Sequence, residues 1–176
     1  MRVIAGLYRH RELLMPKGNS TRPSKDIVKG GIFNALGQKV IGAKVLDLFA
    51  GSGALSIEAI SRGASYAYLV DSSPEAKRAI LTNLNNLKIT NYSFLQMDYR
   101  KATTLFIKQQ IKIDVLLLDP PYQMDNYDDI IQQVKPLLND DAVIIVESEK
   151  PIKITNNYQR SKEYHYGRTF VTFLWQ

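Results

Sequence analysis

The sequence lacks cysteine altogether and contains only two histidines among its 176 residues. The absence of cysteine excludes disulfide bonds, zinc ribbons and thiolate nucleophiles. His10 and His165 are far apart and show neither HxxxH nor HExxH spacing, so the sequence gives little support for a metal site. No apolar run approaches the roughly 20 residues that span a membrane, and the N-terminus lacks the regions of a signal peptide. We therefore expect a cytoplasmic protein that binds neither metal nor membrane.

Acidic side chains are scarce at the N-terminus. Residues 1–30 hold seven basic and two acidic side chains, which gives this segment a net charge of +5, whereas the whole chain carries +6. A basic segment on a nearly neutral body favours a polyanionic partner such as a nucleic acid, although a solvated terminus would look the same. Strand patterns at residues 2–5 and 12–15 predict a hairpin arm over residues 1–22, followed by one domain over residues 23–176. The candidate RNA-binding residues are Arg2, Arg9, Arg11, Arg22 and Lys25.

Strand and helix patterns alternate along the rest of the chain. After a helix over residues 25–36, which Gly30 and Gly31 should kink or bring close to a neighbour, strands are predicted at 45–49, 67–70, 93–97, 113–118 and 142–146. Helices are predicted between them at 54–62, from residue 74 to 87, around 102–110 and around 130–138, and the tail reads as two strands, 162–166 and 168–175. Such alternation predicts an α/β fold, an open parallel sheet with helices on both faces.

A glycine-rich loop follows the first strand of this series. Gly51 and Gly53 let the backbone turn sharply and approach a ligand closely. Ser56 replaces the third glycine of a dinucleotide fingerprint, and the Gly-Lys-Ser/Thr of a P-loop is absent. Asp47 near the strand tip suits a cationic ligand without phosphate, and S-adenosylmethionine is such a ligand. A purely structural turn with a capping aspartate is the alternative.

Two more carboxylates follow the next two strands. Asp71 is placed to accept hydrogen bonds from ribose hydroxyls, and Asp98 to accept one from an adenine amino group. Open α/β sheets bind ligands at the carboxyl ends of their strands, so these acids should meet at one edge. The candidate cofactor-binding residues are Asp47, Phe49, Ala50, Gly51, Ser52, Gly53, Asp71, Ser72, Asp98 and Asp119.

The tetrapeptide Asp119-Pro120-Pro121-Tyr122 directly follows the apolar strand 113–118 and supplies the candidate catalytic residues. Prolines lack N–H groups, so the turn presents a carboxylate and a backbone carbonyl as acceptors for both hydrogens of an exocyclic amine. That arrangement aims the nitrogen lone pair at a methyl donor, and Tyr122 can stack on the base. A rigid structural loop is the alternative. Glu147 and Glu149 we interpret as surface or sheet-edge acids.

The glycine loop and the Asp-Pro-Pro-Tyr motif together resemble class I methyltransferases that act on amino nitrogens. The whole chain resembles the RsmD family of small-subunit ribosomal RNA guanine-N2 methyltransferases. The matching stretches are residues 1–6 (MRVIAG), 21–24 (TRPS), 33–34 (FN), 46–55 (LDLFAGSGAL), 58–59 (EA), 61–64 (SRGA) and 118–122 (LDPPY). The resemblance implies a seven-stranded Rossmann-like sheet whose last strand is antiparallel, an RNA-binding hairpin arm, S-adenosylmethionine as cofactor, and a guanine in ribosomal RNA or in a small-subunit particle as substrate.

One segment departs from the family pattern. Residues 26–31 read DIVKGG where the family has Asp-Arg-Val-Arg-Glu-Ala, so Ile27 replaces an arginine and two glycines replace good helix formers. Three other functions remain open from the residues alone: a DNA adenine-N6 methyltransferase, a non-catalytic RNA-binding protein, and a small-molecule or protein methyltransferase. The preference for guanine over adenine comes from the resemblance only, and we expect a monomer.

Overall fold

A computed structural model describes residues 1–16, 23–121, 123–155 and 158–176. The predicted RNA-binding Arg22 and the predicted catalytic Tyr122 lie outside these residues. The helices are α1 (Pro23–Leu36), α2 (Ala54–Ser61), α3 (Pro74–Asn86), α4 (Tyr99–Lys108) and α5 (Tyr127–Val134), with 3-10 turns at Gly37–Val40 and Lys135–Leu137. The strands are β1 (Lys44–Asp47), β2 (Tyr66–Val70), β3 (Tyr92–Leu95), β4 (Ile113–Leu118), β5 (Leu138–Ser148), β6 (Arg160–Tyr166) and β7 (Thr169–Trp175).

The strands form one seven-stranded sheet in the order β3-β2-β1-β4-β5-β7-β6. The pairs from β3 through β5 are all parallel, whereas β7 runs antiparallel to both of its neighbours. The strand order reverses between β1 and β4. A crevice therefore opens at the carboxyl ends of these two strands, between the glycine loop on one side and Asp119 on the other.

Helices cover both faces of the sheet because neighbouring strand residues point to opposite sides. On one face, Leu116 and Leu118 of β4 pack with the apolar side chains of α4 and α5. On the other face, Val115 and Leu117 pack with α1 and with Ala59 of α2. A third apolar cluster joins α2 and α3 to the N-terminal arm, in which Val3 and Leu13 are buried. The predicted fold is thus confirmed.

The N-terminal arm has less strand structure than the sequence predicted. Instead of two strands, residues 1–16 form one antiparallel bridge, between Arg2 and Glu12. The physical reason is competition from α2, because the Glu58 carboxylate accepts hydrogen bonds from the backbone N–H groups of Ile4 (2.8 Å) and Ala5 (3.1 Å). The hydroxyl of Ser61 likewise accepts from the Tyr8 N–H at 3.0 Å. The arm keeps backbone hydrogen bonds of its own, from Val3 to Arg11, His10 to Val3 and Leu13 to Met1, whereas the N–H groups of Ala5 and Tyr8 are bound to α2.

Glu58 is the centre of a buried ion-pair network that fixes the arm. The Arg62 Nε donates to its Oε1 at 2.7 Å, and the ammonium of Lys29 lies 3.5 Å from its Oε2. The Lys29 ammonium also donates to the backbone carbonyl of Arg2 at 2.5 Å. Burial lowers the pKa of Lys29, and the charge of Glu58 opposes this effect. Helix α1, helix α2 and the arm are therefore held together by charge-assisted hydrogen bonds.

The two adjacent glycines of α1 differ in their surroundings, and the helix continues through both of them. A Cβ added to Gly31 would lie 2.3 Å from the hydroxyl oxygen of Tyr166 in β6, whereas one added to Gly30 would meet only the Ile4 Cγ2 at 3.8 Å. Of the two predicted outcomes, a kink or a close approach, Gly31 shows the close approach.

Candidate active site

A cavity of about 580 Å³ lies at the carboxyl edge of the sheet, where the loops after β1, β2, β3 and β4 meet. Most residues predicted to bind a cofactor line it, together with both prolines of the Asp-Pro-Pro-Tyr motif. These residues are Phe49, Ala50, Gly51, Ser52, Asp71, Ser72, Asp98, Asp119, Pro120 and Pro121. Of the strand-end acids expected to meet at this edge, Asp71, Asp98 and Asp119 line the cavity.

The glycine loop has the tight geometry that glycine permits. Gly51 and Gly53 both have positive φ angles, 55° and 78°, a conformation that side chains disfavour. Gly53 is buried, and a Cβ there would lie 3.2 Å from the Leu69 Cδ2. Gly53 is not among the described residues that line the cavity. Its lack of a side chain lets α2 begin directly against Leu69 of β2.

Asp47, predicted to contact the cofactor, lies beneath the loop and is not part of the described cavity wall. It is only 1% exposed, and its Oδ2 accepts a hydrogen bond from the Ser56 hydroxyl at 3.0 Å. Its Oδ1 is buried with no hydrogen-bond partner among the described residues. Burial raises the pKa of Asp47 to about 7, with the Ser56 hydrogen bond acting in the opposite direction. One carboxylate oxygen is thus left to accept a donor.

Asp71 is held rigidly against the glycine loop. Its Oδ2 accepts from the Gly51 N–H at 2.8 Å, and its Oδ1 accepts from the Ser73 N–H at 2.9 Å. Each carboxylate oxygen has a second lone pair, so the group can still accept hydrogen bonds from a ligand in the cavity. Asp71 therefore fixes the position of the glycine loop and also lines the cavity.

Asp98 combines a structural contact with its place in the cavity wall. It precedes α4, and its Oδ1 accepts from the Arg100 N–H at 2.9 Å, which caps the helix. The guanidinium of Arg100 lies 3.9 Å from Oδ2, and the Asp98 side chain is 45% exposed. This partial exposure leaves its carboxylate accessible to a hydrogen-bond donor.

Asp119 stands at the end of β4 and is half-buried. Burial raises the pKa of its carboxyl, while the positive charge of Lys25 opposes that change. The Met124 N–H donates a hydrogen bond to the Pro121 carbonyl at 2.8 Å. Asp119 thus belongs to the cavity wall, where the sequence analysis placed a candidate catalytic residue.

A second cavity, of about 820 Å³, opens beside the first and shares part of its wall. The shared residues are Lys25, Asp119, Pro120, Gln123, Met124 and Glu147. Three exposed basic residues, Lys150, Lys153 and Arg168, lie around the second cavity. A ligand in the first cavity and a ligand in the second would therefore meet at Asp119.

Glu147 is a charged residue of the cavity wall that the sequence analysis missed. It was interpreted as a surface or sheet-edge acid, whereas the structure places it half-buried in the wall of both cavities. Burial and then the charge of Asp119 raise the pKa of Glu147 to about 8, with Lys25 opposing them. The signal was available, because Glu147 follows the apolar core of β5 as Asp119 follows β4.

The predicted RNA-binding residues occupy two different places. Arg2, Arg9 and Arg11 are exposed on the arm, outside the described walls of both cavities, whereas Lys25 lines both. The arm nevertheless reaches the first cavity through Met1 and Met15. The Asn83 side-chain amide connects the arm to the glycine loop, donating to the carbonyls of Leu14 and Ser52 at 2.9 Å each.

No group of three or more His, Asp or Glu side chains in residues 1–16, 23–121, 123–155 and 158–176 could hold a metal ion. Over the same part of the chain, the helices are too short or too polar to span a bilayer.

Comparison with known proteins identifies the family. The family described as Conserved hypothetical protein 95 matches residues 1–175. The chain belongs to this family. Ribosomal RNA small subunit methyltransferase D from Haemophilus influenzae is 33% identical over 171 residues, covering 93% of this chain and 87% of the relative. The protein of that name from Escherichia coli K12 is 32% identical over 151 residues, covering 85% and 75%.

The fold of the whole chain also has a solved counterpart. The structure of yhhF from Escherichia coli superimposes with a TM-score of 0.85 at 30% identity, covering 100% of this chain and 97% of that one. The resemblance to the RsmD family and the assignment as a methyltransferase are confirmed by these comparisons.

Proposed function

We propose that this protein transfers a methyl group from S-adenosylmethionine to the exocyclic N2 amino group of a guanine in small-subunit ribosomal RNA. One observation carries the proposal: Asp119-Pro120-Pro121 lies in the same cavity wall as the glycine loop and Asp71. We assign small-subunit ribosomal RNA as the substrate because the relatives are named ribosomal RNA small subunit methyltransferase D. A cytoplasmic location and a monomeric state complete the proposal.

The residues around the first cavity fit S-adenosylmethionine. Its sulfonium supplies an electrophilic methyl group, and it carries two cationic groups but no phosphate. Asp71 is fixed by two backbone N–H groups and suits ribose hydroxyls, and Asp98 suits the adenine amino group. The buried Oδ1 of Asp47 is a further acceptor without a partner among the described residues. Asp47 lies outside the described cavity wall, and buried polar groups are ordinarily hydrogen-bonded, so we expect an ordered water beside this oxygen.

Asp119 and the Pro120 carbonyl hold the target amine in this account. An exocyclic amine has two N–H donors, and a carboxylate next to a backbone carbonyl supplies two acceptors. Fixing both hydrogens directs the nitrogen lone pair away from the turn and lowers the entropic part of the barrier. Asp119 also accepts the proton that the methylated nitrogen releases, directly or through water. A raised pKa suits a group that takes up a proton.

Basic side chains on two surfaces support an RNA substrate. Lys150, Lys153 and Arg168 surround the second cavity, and Arg9 and Arg11 are exposed on the arm. Exposed cations beside the second cavity and on the arm suit the phosphates of an RNA whose base is turned out of its helix, and acids of the second cavity such as Asp125 and Glu149 confine the positive charge to these side chains.

Transfer of labelled methyl groups tests the proposal. Small-subunit particles, their naked RNA and adenine-rich duplex DNA are incubated with the protein and labelled S-adenosylmethionine. We expect label in the particles or in their RNA, and none in the DNA. Label in the DNA alone would support an adenine-N6 enzyme. Cofactor binding without transfer to any of the three substrates would indicate a non-catalytic RNA-binding protein, and either result would overturn the proposal.

A further inference from the structure

Glu147 and Asp119 are neighbours at the carboxyl edge of the sheet. In the parallel pairing of β4 with β5, Leu118 lies opposite Val146, so Asp119 and Glu147 are the next residues along the two strands. Adjacent strands are about 4.8 Å apart, which is within reach of two groups on one small ligand. Both carboxylates line both cavities, so a ligand at their junction contacts two acids together.

The alternation of side chains places these acids on the same face of the sheet as α1. Leu117 and Ile145, two residues before Asp119 and Glu147, pack in the apolar cluster that contains α1. Strand residues two apart point to the same side. Lys25 lies in the first turn of α1 and also lines both cavities. Two carboxylates and one ammonium therefore converge where the cavities join.

These three groups match the Watson–Crick edge of guanine and not that of adenine. The guanine edge presents the N2 amino group, then the N1–H donor, then the O6 acceptor. With the amino group at Asp119, the adjoining carboxylate meets an N–H donor and the ammonium meets a carbonyl oxygen. In adenine, the ring atom beside the amino group is a bare nitrogen, which is an acceptor. An ionised Glu147 facing that nitrogen would lose its partner and be repelled, and the neighbouring Lys25 ammonium favours this ionised form.

We propose that Glu147 and Lys25 determine the specificity for guanine, with Glu147 accepting the N1–H and Lys25 donating to O6. This inference rests on the proposed function, which assigns the N2 amino group to Asp119. The charge of Asp119 raises the pKa of Glu147, and the charge of Lys25 opposes this change. These effects are expected when three charged groups share one small space. In the part of the chain that the structure describes, the side chains of Glu147, Asp119 and Lys25 make no hydrogen bond, so each is available to a base.

The test uses target RNAs that carry either guanine or 2-aminopurine at the methylated position. 2-Aminopurine keeps the 2-amino group but has a bare N1 and no O6. A hydrogen bond to a charged group accounts for roughly 10- to 150-fold in affinity. We therefore expect the wild-type kcat/KM to favour guanine over 2-aminopurine by about 100-fold or more.

The Glu147→Gln variant should change the ratio of kcat/KM on guanine RNA to kcat/KM on 2-aminopurine RNA, and not only the rate on each RNA. Its amide can donate to the bare N1 of 2-aminopurine, so we expect the preference for guanine to fall to within about 10-fold. Lys25→Met should also reduce the preference, since it removes the donor to O6. The matched control is Glu163→Gln, an exposed acid of β6, which should keep both rates within about 2-fold of wild type.

The possible outcomes separate the specificity role from a structural one and from failure of the proposed function. A Glu147→Gln variant that loses rate on both RNAs in the same proportion would overturn the inference, because a purely structural residue affects both substrates equally. Should that variant fail to fold, Glu147→Ala is measured for the same ratio, with cofactor affinity as the check on folding. If wild-type protein leaves guanine-containing target RNA unmethylated, the proposed function fails and the specificity assignment fails with it.

Discussion

The Oδ2 of Asp71 accepts a hydrogen bond from the backbone N–H of Gly51 across 2.8 Å, joining the end of β2 to the glycine loop after β1. The same carboxylate also accepts from Ser73 before α3. One side chain therefore positions the loop and faces the cavity in which the cofactor is proposed to bind. This double role leads to a prediction about affinity.

Replacing Asp71 with asparagine should weaken cofactor binding more than it slows transfer. The amide supplies one acceptor oxygen in place of two, so a backbone donor or a ribose hydroxyl loses its partner. A lost hydrogen bond of this kind costs about 1–3 kcal/mol, or roughly 5- to 150-fold in Kd. Calorimetric titration of S-adenosylmethionine measures the change, with the exposed Asp140→Asn as control. An unchanged Kd would remove Asp71 from the cofactor site.

Replacing Asp119 should have the opposite effect. Asp119→Ala removes the acceptor for the target amine but leaves the glycine loop and Asp71 intact. We expect kcat to fall by at least about 100-fold, a magnitude typical of a lost proton acceptor or positioning group. Calorimetry should show a nearly unchanged Kd for S-adenosylmethionine. Weakened cofactor binding together with normal turnover at saturating cofactor would contradict the role assigned to Asp119.

Loss of the Glu58 carboxylate should destabilise the whole protein. Glu58 is fully buried, pairs with Lys29 and Arg62, and accepts from two backbone N–H groups of the arm. Removing one member of a buried charge pair costs about 3–5 kcal/mol, so Glu58→Ala should lower the free energy of unfolding by that amount. Urea denaturation measures it, with the exposed Glu163→Gln as control. A loss below about 1 kcal/mol would mean that the arm is not anchored in this way.

The two glycines of α1 make a matched pair. At Gly31 a methyl group would lie 2.3 Å from the Tyr166 hydroxyl, so Gly31→Ala should destabilise by about 1–3 kcal/mol. At Gly30 the nearest atom would be 3.8 Å away, so Gly30→Ala should stabilise the helix by about 0.5–1 kcal/mol. Thermal and urea unfolding of both variants would show opposite signs. Equal effects would refute the close approach of α1 to β6.

Stability should fall as the pH rises from about 5 to 8. Burial raises the pKa of Asp47 from 3.8 to about 7, so the folded state keeps a proton that the unfolded chain has already released. Glu147, raised from 4.5 to about 8, acts in the same direction. When the native state binds more protons, the free energy of unfolding decreases with rising pH.

Asp47→Asn isolates the contribution of Asp47 to this pH dependence. The asparagine retains an acceptor for Ser56 but does not titrate, so the slope of unfolding free energy against pH should be shallower than in wild type. Urea denaturation at several pH values between 5 and 8 provides the slope, and the exposed Asp140→Asn should keep the wild-type value. Identical slopes in wild type and Asp47→Asn would show that Asp47 is ionised throughout the range.

The fold and the cavity could be predicted where the determinants are local. The apolar run of β4 and the glycines after β1 are signals within a few neighbouring residues. Parallel pairing then brings the residues that follow each strand to one edge. Asp71, Asp98 and Asp119 were found in this way.

The features that were missed depend on contacts between distant parts of the chain. Ala5 and Glu58 are 53 residues apart, and their hydrogen bond takes the Ala5 N–H away from the pairing expected within the arm. The burial of Asp47 beneath the loop depends on packing that a strand-end pattern does not encode. The apolar residues of β5 marked Glu147 as a strand-end acid, but its place beside Asp119 depends on the register of β5 against β4.

The identity of the methylated nucleoside tests most directly whether the protein methylates the N2 amino group of guanine. RNA labelled by the protein in small-subunit particles is digested to nucleosides, and the products are separated and identified by mass spectrometry. We expect N2-methylguanosine as the labelled product, and we expect it to be lost in the Asp119→Ala reaction. N6-methyladenosine, or label on any position other than an exocyclic guanine amine, would contradict it.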